Sequence, residues 1–178
     1  IEDCAHTMGA SWAGVASGRH GIIGCYSCQT YKHLNSGEGG LLVTDDDEVI
    51  ARAIVLSGSY MLFEQHRSIP DLAVFEKIKL ETPNISGRMD NLRAAILRPQ
   101  LSDLRDRVSR WNERYKIIED GLRNVSIIKI IERAEDEAYV GSSLQFKIPK
   151  TNGNQIKTFL NGCMKRGVEL KWFGASAP

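Results

Sequence analysis

No apolar run in this sequence approaches the roughly 20 residues that cross a membrane as a helix, and no signal-peptide pattern opens it. Neither sign of charge dominates, because 23 Lys and Arg residues stand against 22 Asp and Glu. This balance gives no electrostatic reason to expect nucleic acid or an anionic membrane as a partner. Repeats and low-complexity tracts are also lacking. The 178 residues, 42% of them hydrophobic, predict a soluble globular protein of one domain or a domain and a half.

Cysteine is scarce, and the positions of Cys4, Cys25, Cys28 and Cys163 argue against most metal and redox sites. The Cys25-x-x-Cys28 pair lacks the second ligand pair that a zinc site requires. It also lies in an apparent strand, whereas a thioredoxin-like pair opens a helix. A zinc or redox module on this pair therefore remains only a rival hypothesis. We expect all four cysteines to be reduced and mostly buried, in a cytoplasmic protein.

The ends of the sequence lack an initiator Met and a closing element, so we expect a fragment of a longer protein. Repeated glycines in residues 1–28 favour short strands and turns, and residues 39–44 are a candidate buried strand. A helix is predicted over residues 48–56, with an N-cap among residues 44–47 and Gly58 as its end.

Residues 57–87 show weak periodicity, with a short helix predicted from Asp71 to Leu80. Such an excursion either wraps a neighbour or is a plain surface loop. Residues 88–124 give the clearest helical pattern, and Pro99 should kink or divide it. The apolar stripe of this segment is nearly heptad, so a coiled coil is the rival, but packing on a sheet is favoured.

The pattern changes to strands after residue 124. Strands are predicted over residues 126–131, 139–148 and 168–173. Between the last two, a helix over residues 152–166 has four apolar residues facing inward: Ile156, Phe159, Leu160 and Met164. The pattern predicts an α/β fold, with a partial large domain over residues 1–87. The long helix and a small α/β domain follow over residues 88–178.

One lysine stands in a glycine-rich loop between two strand-like runs. Lys32 follows Ser27 by five residues, and Asp3 ends an earlier strand-like start. A desolvated lysine amine attacks carbonyls, and pyridoxal phosphate (PLP) is the aldehyde that such a lysine most often holds as a Schiff base. Asp3 suits the pyridine nitrogen of that cofactor, Ser27 part of its phosphate, and His6 its ring oxygen. A solvated lysine, an Asx-turn aspartate and a structural histidine are the plainer alternatives.

Several motifs together resemble the DegT/StrS family of sugar aminotransferases, which are PLP-dependent enzymes of fold type I. They are Glu2-Asp3-Cys4-Ala5-His6, Gly24-Cys25-Tyr26-Ser27 leading to Lys32, Gly37-Glu38-Gly39-Gly40, Val43-Thr44-Asp45, and residues 88–96 with Gln100-Leu101. The resemblance covers nearly the whole chain. It implies the trailing part of a PLP-transferase large domain, followed by the small C-terminal domain.

The resemblance also implies roles for single residues. Lys32 matches the lysine that holds the cofactor and moves the substrate proton, and Asp3 matches the carboxylate on the pyridine nitrogen. His6 takes the place near the ring oxygen, and Ser27 that of a phosphate-contacting hydroxyl. A lysine at position 32 is typical of the transaminases, whereas the related sugar dehydratases carry histidine there.

Implied partners are a keto-sugar acceptor, often nucleotide-linked, a glutamate donor, and a second subunit in a homodimer with a shared active site. The segment from Glu169 to Pro178 resembles transaminases of an eight-carbon 3-deoxy-octulosonate sugar, which would place the protein in lipopolysaccharide biosynthesis.

The sequence departs from the family pattern at three places. Ser86 stands where the family commonly has an Asn that reaches the partner subunit's cofactor phosphate, and Asn84 lies two residues earlier. Gly58-Ser59-Tyr60 stands near the place of a common His-Gly pair. The family's N-terminal half, with its phosphate loop and ring-stacking aromatic residue, has no counterpart in these 178 residues. Two hypotheses follow: part of a working transaminase, or a truncated, catalytically silent module for binding or dimerisation.

Overall fold

A computed structural model of the chain describes residues 1–58 and 62–175. The described residues form two compact units: residues 1–58 and 62–116 with 133–143, and residues 117–132 with 144–175. The mixture of helices and small sheets confirms the α/β class. The predicted division at residues 87 and 88 stays a prediction.

The first unit contains two three-stranded sheets. Its strands are β1 (Glu2–Asp3), β2 (Ser11–Trp12), β3 (Val15–Ala16), β4 (Gly24–Ser27), β5 (Gly40–Val43) and β6 (Glu137–Ala138). The first sheet has the order β1-β4-β5, with β1 parallel and β5 antiparallel to β4. The second sheet has the order β3-β2-β6 and is antiparallel throughout. The prediction of short strands and turns over residues 1–28 is confirmed.

Strand β5 lies within the predicted segment of residues 39–44, but the prediction that it is buried is wrong. Leu41, Leu42 and Val43 are 37%, 40% and 37% exposed. An apolar run indicates that a strand can be covered on both faces, but it does not determine whether neighbouring elements cover it.

Helix α1 (Asp47–Ser57) confirms the predicted helix and its end. The Asp46 carboxylate caps it by accepting hydrogen bonds from the backbone of Glu48 and Val49. Gly58 ends it with a φ of 109°, which a glycine adopts without a side-chain penalty. Ala51 and Val55 of α1 pack with Phe63 and Phe75, whose rings stack with centroids 4.2 Å apart.

The predicted short helix is α2 (Leu72–Ile78), and the long helical segment is two helices, α3 (Asn91–Ser102) and α4 (Leu104–Arg123). The helices separate at Asp103, four residues beyond Pro99. Pro99 itself lies inside α3, so the predicted division is confirmed, although it occurs at a later residue. Helix α4 begins in the first unit and ends in the second.

The second unit contains β7 (Lys129–Ile130) antiparallel to β8 (Phe146–Lys147), and α5 (Gly153–Met164). Asn152 caps α5 in a capping box with Gln155. The strand predicted over residues 139–148 is correct only for residues 146 and 147, and residues 168–173 form no strand. Met164 is 56% exposed, so its inward placement was also wrong.

Among residues 1–58 and 62–175, no helix is long and apolar enough to cross a membrane.

Candidate active site

Strand pairing places two of the candidate residues, Asp3 and Ser27, on one sheet face together with Cys25. Asp3 of β1 lies opposite Cys25 of β4 in parallel register. Paired residues of neighbouring strands point to the same face, and residues two apart along a strand do likewise. Asp3, Cys25 and Ser27 therefore share a face. Cys25 is exposed on it.

The opposite sheet face is packed. Cys4 is buried, and Tyr26 packs against a core cluster formed by Met8, Cys28, Leu34 and Leu97. Burial raises the pKa of both the Tyr26 phenol and the Cys28 thiol. Since the two faces alternate along each strand, packing of Cys4 and Tyr26 directs Asp3, Cys25 and Ser27 away from this core.

The backbone of the lysine loop, residues 28–39, closes on itself. Cys28 N–H donates to the Gly39 carbonyl at 2.8 Å, and Ser36 N–H donates to the Cys28 carbonyl at 3.0 Å. Gly37 and Gly39 have φ values of 87° and 136°, in the region that favours glycine. These contacts set where Lys32 stands between β4 and β5.

Lys32 and His6 meet across 26 residues of sequence. Lys32 Nζ lies 2.7 Å from His6 Nε2, and Lys32 is half-buried. His6 follows β1 by three residues, so this pair lies just beyond the end of β1 that carries Asp3. The structure thus brings the predicted lysine, histidine and aspartate to one end of the β1–β4 pair.

Two further side chains hold the lysine loop against the rest of the unit. The Gln100 amide accepts a hydrogen bond from Asn35 N–H at 3.1 Å and donates to the Asn35 carbonyl at 2.7 Å. His33 is 7% exposed, and its Nε2 lies 2.7 Å from Ser142 Oγ. The sequence patterns assign neither residue a role, because their partners lie 65 and 109 positions away.

Glu2 fixes the segment between β3 and β4. Its carboxylate accepts hydrogen bonds from the backbone N–H groups of Gly18, His20 and Gly21, at 2.9, 2.7 and 2.6 Å. These donors, that of Gly21 above all, lower the pKa of Glu2. Sequence reasoning quoted Glu2 only within a motif, since nothing in the local pattern identifies donors 16 to 19 residues away.

Asn84 and Ser86 lie in another part of the same unit, at the C-terminal end of α1. The Asn84 side-chain oxygen accepts a hydrogen bond from Ser86 N–H at 2.8 Å, and Ser86 has a φ of 53°. Arg88 donates to the Gly58 carbonyl. Gly58 is thus enclosed by the candidate phosphate-contacting segment. Ser59 and Tyr60, which follow Gly58 in the segment noted in the sequence, lie outside the described residues.

The polar atoms near Lys32 fit an aldehyde cofactor with a ring nitrogen and a phosphate. Asp3 Oδ1 accepts the Ala5 N–H at 3.1 Å, and in the described part of the chain Oδ2 has no hydrogen-bond partner. Within residues 1–58 and 62–175, Ser27 Oγ accepts only a long hydrogen bond, from Gln29 N–H at 3.3 Å, which leaves its own proton available to an anion. The site thus offers an amine, a carboxylate and a hydroxyl donor.

Metal and disulfide chemistry find little support in residues 1–58 and 62–175. No three His, Cys, Asp or Glu side chains there are grouped so that they could hold a metal ion. The four cysteines are unpaired. Cys4 and Cys28 are buried as predicted, but Cys25 is exposed and Cys163 half-buried, so the expectation of mostly buried cysteines is only half correct.

Residues 1–173 match the DegT/DnrJ/EryC1/StrS aminotransferase family. The chain belongs to this family. The membership confirms the resemblance that the lysine, glycine and helix motifs indicated, and with it the class of fold-type-I, PLP-dependent enzymes.

Curated relatives carry the names of sugar and cyclitol aminotransferases. L-glutamine:scyllo-inosose aminotransferase of Streptomyces griseus is 55% identical over 53 residues, which are 30% of this chain and 12% of that protein. GDP-perosamine synthase of Escherichia coli O157:H7 is 29% identical over 136 residues, which are 76% of this chain and 34% of that protein. The matched regions thus span about a third or less of these relatives.

A solved member of the fold has the same arrangement at low sequence identity. The E. coli GDP-4-keto-6-deoxy-D-mannose-3-dehydratase with bound hydrated PLP superposes with a TM-score of 0.77 at 21% identity. The match covers 94% of this chain and 44% of that one. The chain therefore has the fold of part of a PLP enzyme of this family.

Proposed function

We propose that the chain is part of a PLP-dependent sugar aminotransferase, in which Lys32 holds the cofactor and transfers the substrate proton. The observation that carries the proposal is the Lys32–His6 contact of 2.7 Å at the end of β1 that bears Asp3. Family membership supports the reaction class. When bound, the cofactor supplies an electron sink that stabilises negative charge at the amino-bearing carbon of the substrate.

In this proposal each residue of the site has its own role. Lys32 would hold the cofactor at its aldehyde carbon and would carry a proton to and from the substrate carbon. His6 accepts a hydrogen bond from Lys32 and thereby aims its amine. Asp3 keeps the ring nitrogen protonated through its carboxylate charge. Ser27 would donate a hydrogen bond from its hydroxyl to the phosphate, and Asn84 and Ser86 are proposed as contacts to the cofactor phosphate of the partner subunit.

A transaminase is favoured over a sugar dehydratase because the lysine is present. The structural neighbour described above is a dehydratase by name, so fold likeness alone does not decide between the two activities. The acceptor in our proposal is a keto-sugar or keto-cyclitol, and the donor is glutamate or glutamine. The names of the relatives support this class and add glutamine to the glutamate predicted from the sequence. An octulosonate acceptor, a cytoplasmic location and a homodimer with a shared site stay predictions.

The experiment is a donor half-reaction followed by absorbance. The purified chain is incubated with PLP, and the visible spectrum is recorded before and after addition of glutamate or glutamine. We expect a lysine-dependent band that the amino donor converts, and no such band in Lys32→Ala. A stable band that neither donor converts would indicate the silent binding module, and an identical band in Lys32→Ala would overturn the assignment of Lys32.

A further inference from the structure

His33, the residue next to Lys32, differs from it in burial and in contacts. Lys32 is half-buried and reaches His6, whereas His33 is 7% exposed and lies in the core of the first unit. The His33 ring packs on Trp111 of α4 with centroids 5.2 Å apart. Its Nε2 lies 2.7 Å from the hydroxyl of Ser142, in the segment that returns to this unit after α4. The His33 side chain thus anchors the loop in the core, while the neighbouring Lys32 side chain places its amine at His6.

The anchoring contact is suited to a neutral imidazole. Burial lowers the pKa of His33, and a hydrogen bond with the Met8 backbone opposes this effect. Electrostatic interactions with His6, Arg107 and Lys32 lower the pKa further. Within the described part of the chain, His33 Nδ1 is buried without a hydrogen-bond partner. A proton on this ring would therefore place a buried positive charge near Arg107 and Lys32.

We propose that His33 is a positioning residue: its contacts with Ser142 and Trp111 hold the lysine loop so that Lys32 Nζ meets His6. The inference rests on the proposed role of Lys32, but its geometry exists without any cofactor. Because only one peptide unit separates the two α-carbons, a rotation of the His33 anchor displaces the Lys32 side chain directly. A displacement of about 1 Å in such a group can cost on the order of a hundredfold in reaction rate.

The test measures Lys32 in the full chain without cofactor. Limiting acetic anhydride labels lysines, and mass spectrometry gives the ratio of Lys32 to Lys77 labelling across pH. Lys77 is exposed and serves as the internal reference. In the wild-type chain we expect a ratio different from one, because the His6 contact holds the Lys32 amine. In His33→Phe, which keeps an aromatic ring but not the nitrogens, the ratio should move towards one.

Two variants keep the inference open to refutation if His33→Phe fails to fold. Ser142→Ala removes a single hydroxyl, and the ratio should move in the same direction as in His33→Phe. His33→Gln retains a group that can bond Ser142, and should restore the ratio at least partly. His66→Phe, at an exposed histidine, is the matched control and should leave the ratio unchanged.

A wild-type ratio of one, or an unchanged ratio and pH profile in Ser142→Ala, would overturn the role of His33. A merely structural histidine predicts lower unfolding midpoints with the Lys32 ratio intact. Failure of the proposed function shows separately, as the absence of a Lys32-dependent cofactor band in the wild-type chain.

Discussion

Lys32 Nζ and His6 Nε2 lie 2.7 Å apart, although 26 residues separate them in the sequence. The contact joins the glycine-rich loop between β4 and β5 to the turn that follows β1. A parallel strand pair makes this possible, because β1 and β4 end at the same edge of their sheet. Backbone pairing thereby places the Lys32 amine near the end of β1 that carries Asp3.

Replacement of His6 tests whether this contact orients the amine. We expect His6→Ala to slow the attachment of PLP to Lys32 by about tenfold, because the amine loses its hydrogen-bonded direction. Stability should change by about 1 kcal/mol or less, since the pair is largely solvent-accessible. The measurement is stopped-flow absorbance together with urea unfolding. The control His66→Ala changes an exposed histidine elsewhere, and equal rates in the two variants would remove His6 from the site.

Cysteine footprinting tests whether the cofactor covers the face of Asp3 and Ser27. Cys25 is exposed on that face, whereas Cys4 and Cys28 are buried and Cys163 is half-buried. We expect PLP to slow iodoacetamide labelling of Cys25 and to leave the rate at Cys163 unchanged. The rates are read by peptide mass spectrometry. Protection of both cysteines to the same degree would indicate a general change in the protein, not a cofactor on this face.

Stability should depend on pH through Glu2. Its folded-state pKa is lowered, so its contribution is fully present above the unfolded-state pKa of about 4.3. That contribution is lost as pH falls through the lower folded-state value. Urea unfolding below about pH 4.3 should show that the free energy of unfolding of the wild type decreases as the pH is lowered. Glu2→Gln should be less stable at neutral pH and lose that part of the pH dependence.

Glu64→Gln is the control for Glu2, because Glu64 is exposed and makes no side-chain hydrogen bond within the described residues. It should keep the wild-type pH profile. Matching profiles in Glu2→Gln and the wild type would show that the three backbone donors do not hold the carboxylate in solution.

Substitution by alanine should change stability in opposite directions at two glycines. A Cβ at Gly24 would lie 2.5 Å from Gly18 Cα and 2.7 Å from its carbonyl oxygen, so β4 would have to move away from the turn. Gly121, inside α4, has nothing within 4 Å of an added Cβ. We expect Gly24→Ala to destabilise by roughly 1–3 kcal/mol and Gly121→Ala to stabilise by roughly 0.5–1 kcal/mol. Thermal unfolding gives both signs, and a stable Gly24→Ala would contradict the close β4 packing.

Local patterns predicted the helices and the lysine loop well. Capping at Asp46, the positive φ of Gly58 and the separation near Pro99 are consequences of short-range chemistry, so the sequence shows them. The predicted strand over residues 139–148 failed because backbone pairing is non-local. Only Phe146 and Lys147 find a partner strand in this stretch, although it also contains residues that favour strand, such as Tyr139 and Val140.

The same distinction between local patterns and non-local contacts applies to the candidate site. Lys32, Asp3, His6 and Ser27 stand in recognisable motifs, and the structure gathers them at one end of the β1–β4 pair. Sequence reasoning assigned no role to His33, and it showed Gln100 only as part of a motif, because their contacts with Ser142 and Asn35 span 109 and 65 residues. A histidine beside a lysine carries no local sign of whether it faces the core or the solvent.

The most direct test of the account is the identity of the residue that holds the cofactor. The chain is mixed with PLP, reduced with borohydride, digested and analysed by tandem mass spectrometry. Lys32→Arg, which keeps the charge but cannot form the bond, is the matched control. The account predicts a phosphopyridoxyl group on Lys32 in the wild type and no comparable label in Lys32→Arg. Labelling spread over exposed lysines such as Lys77, and unchanged in Lys32→Arg, would contradict it.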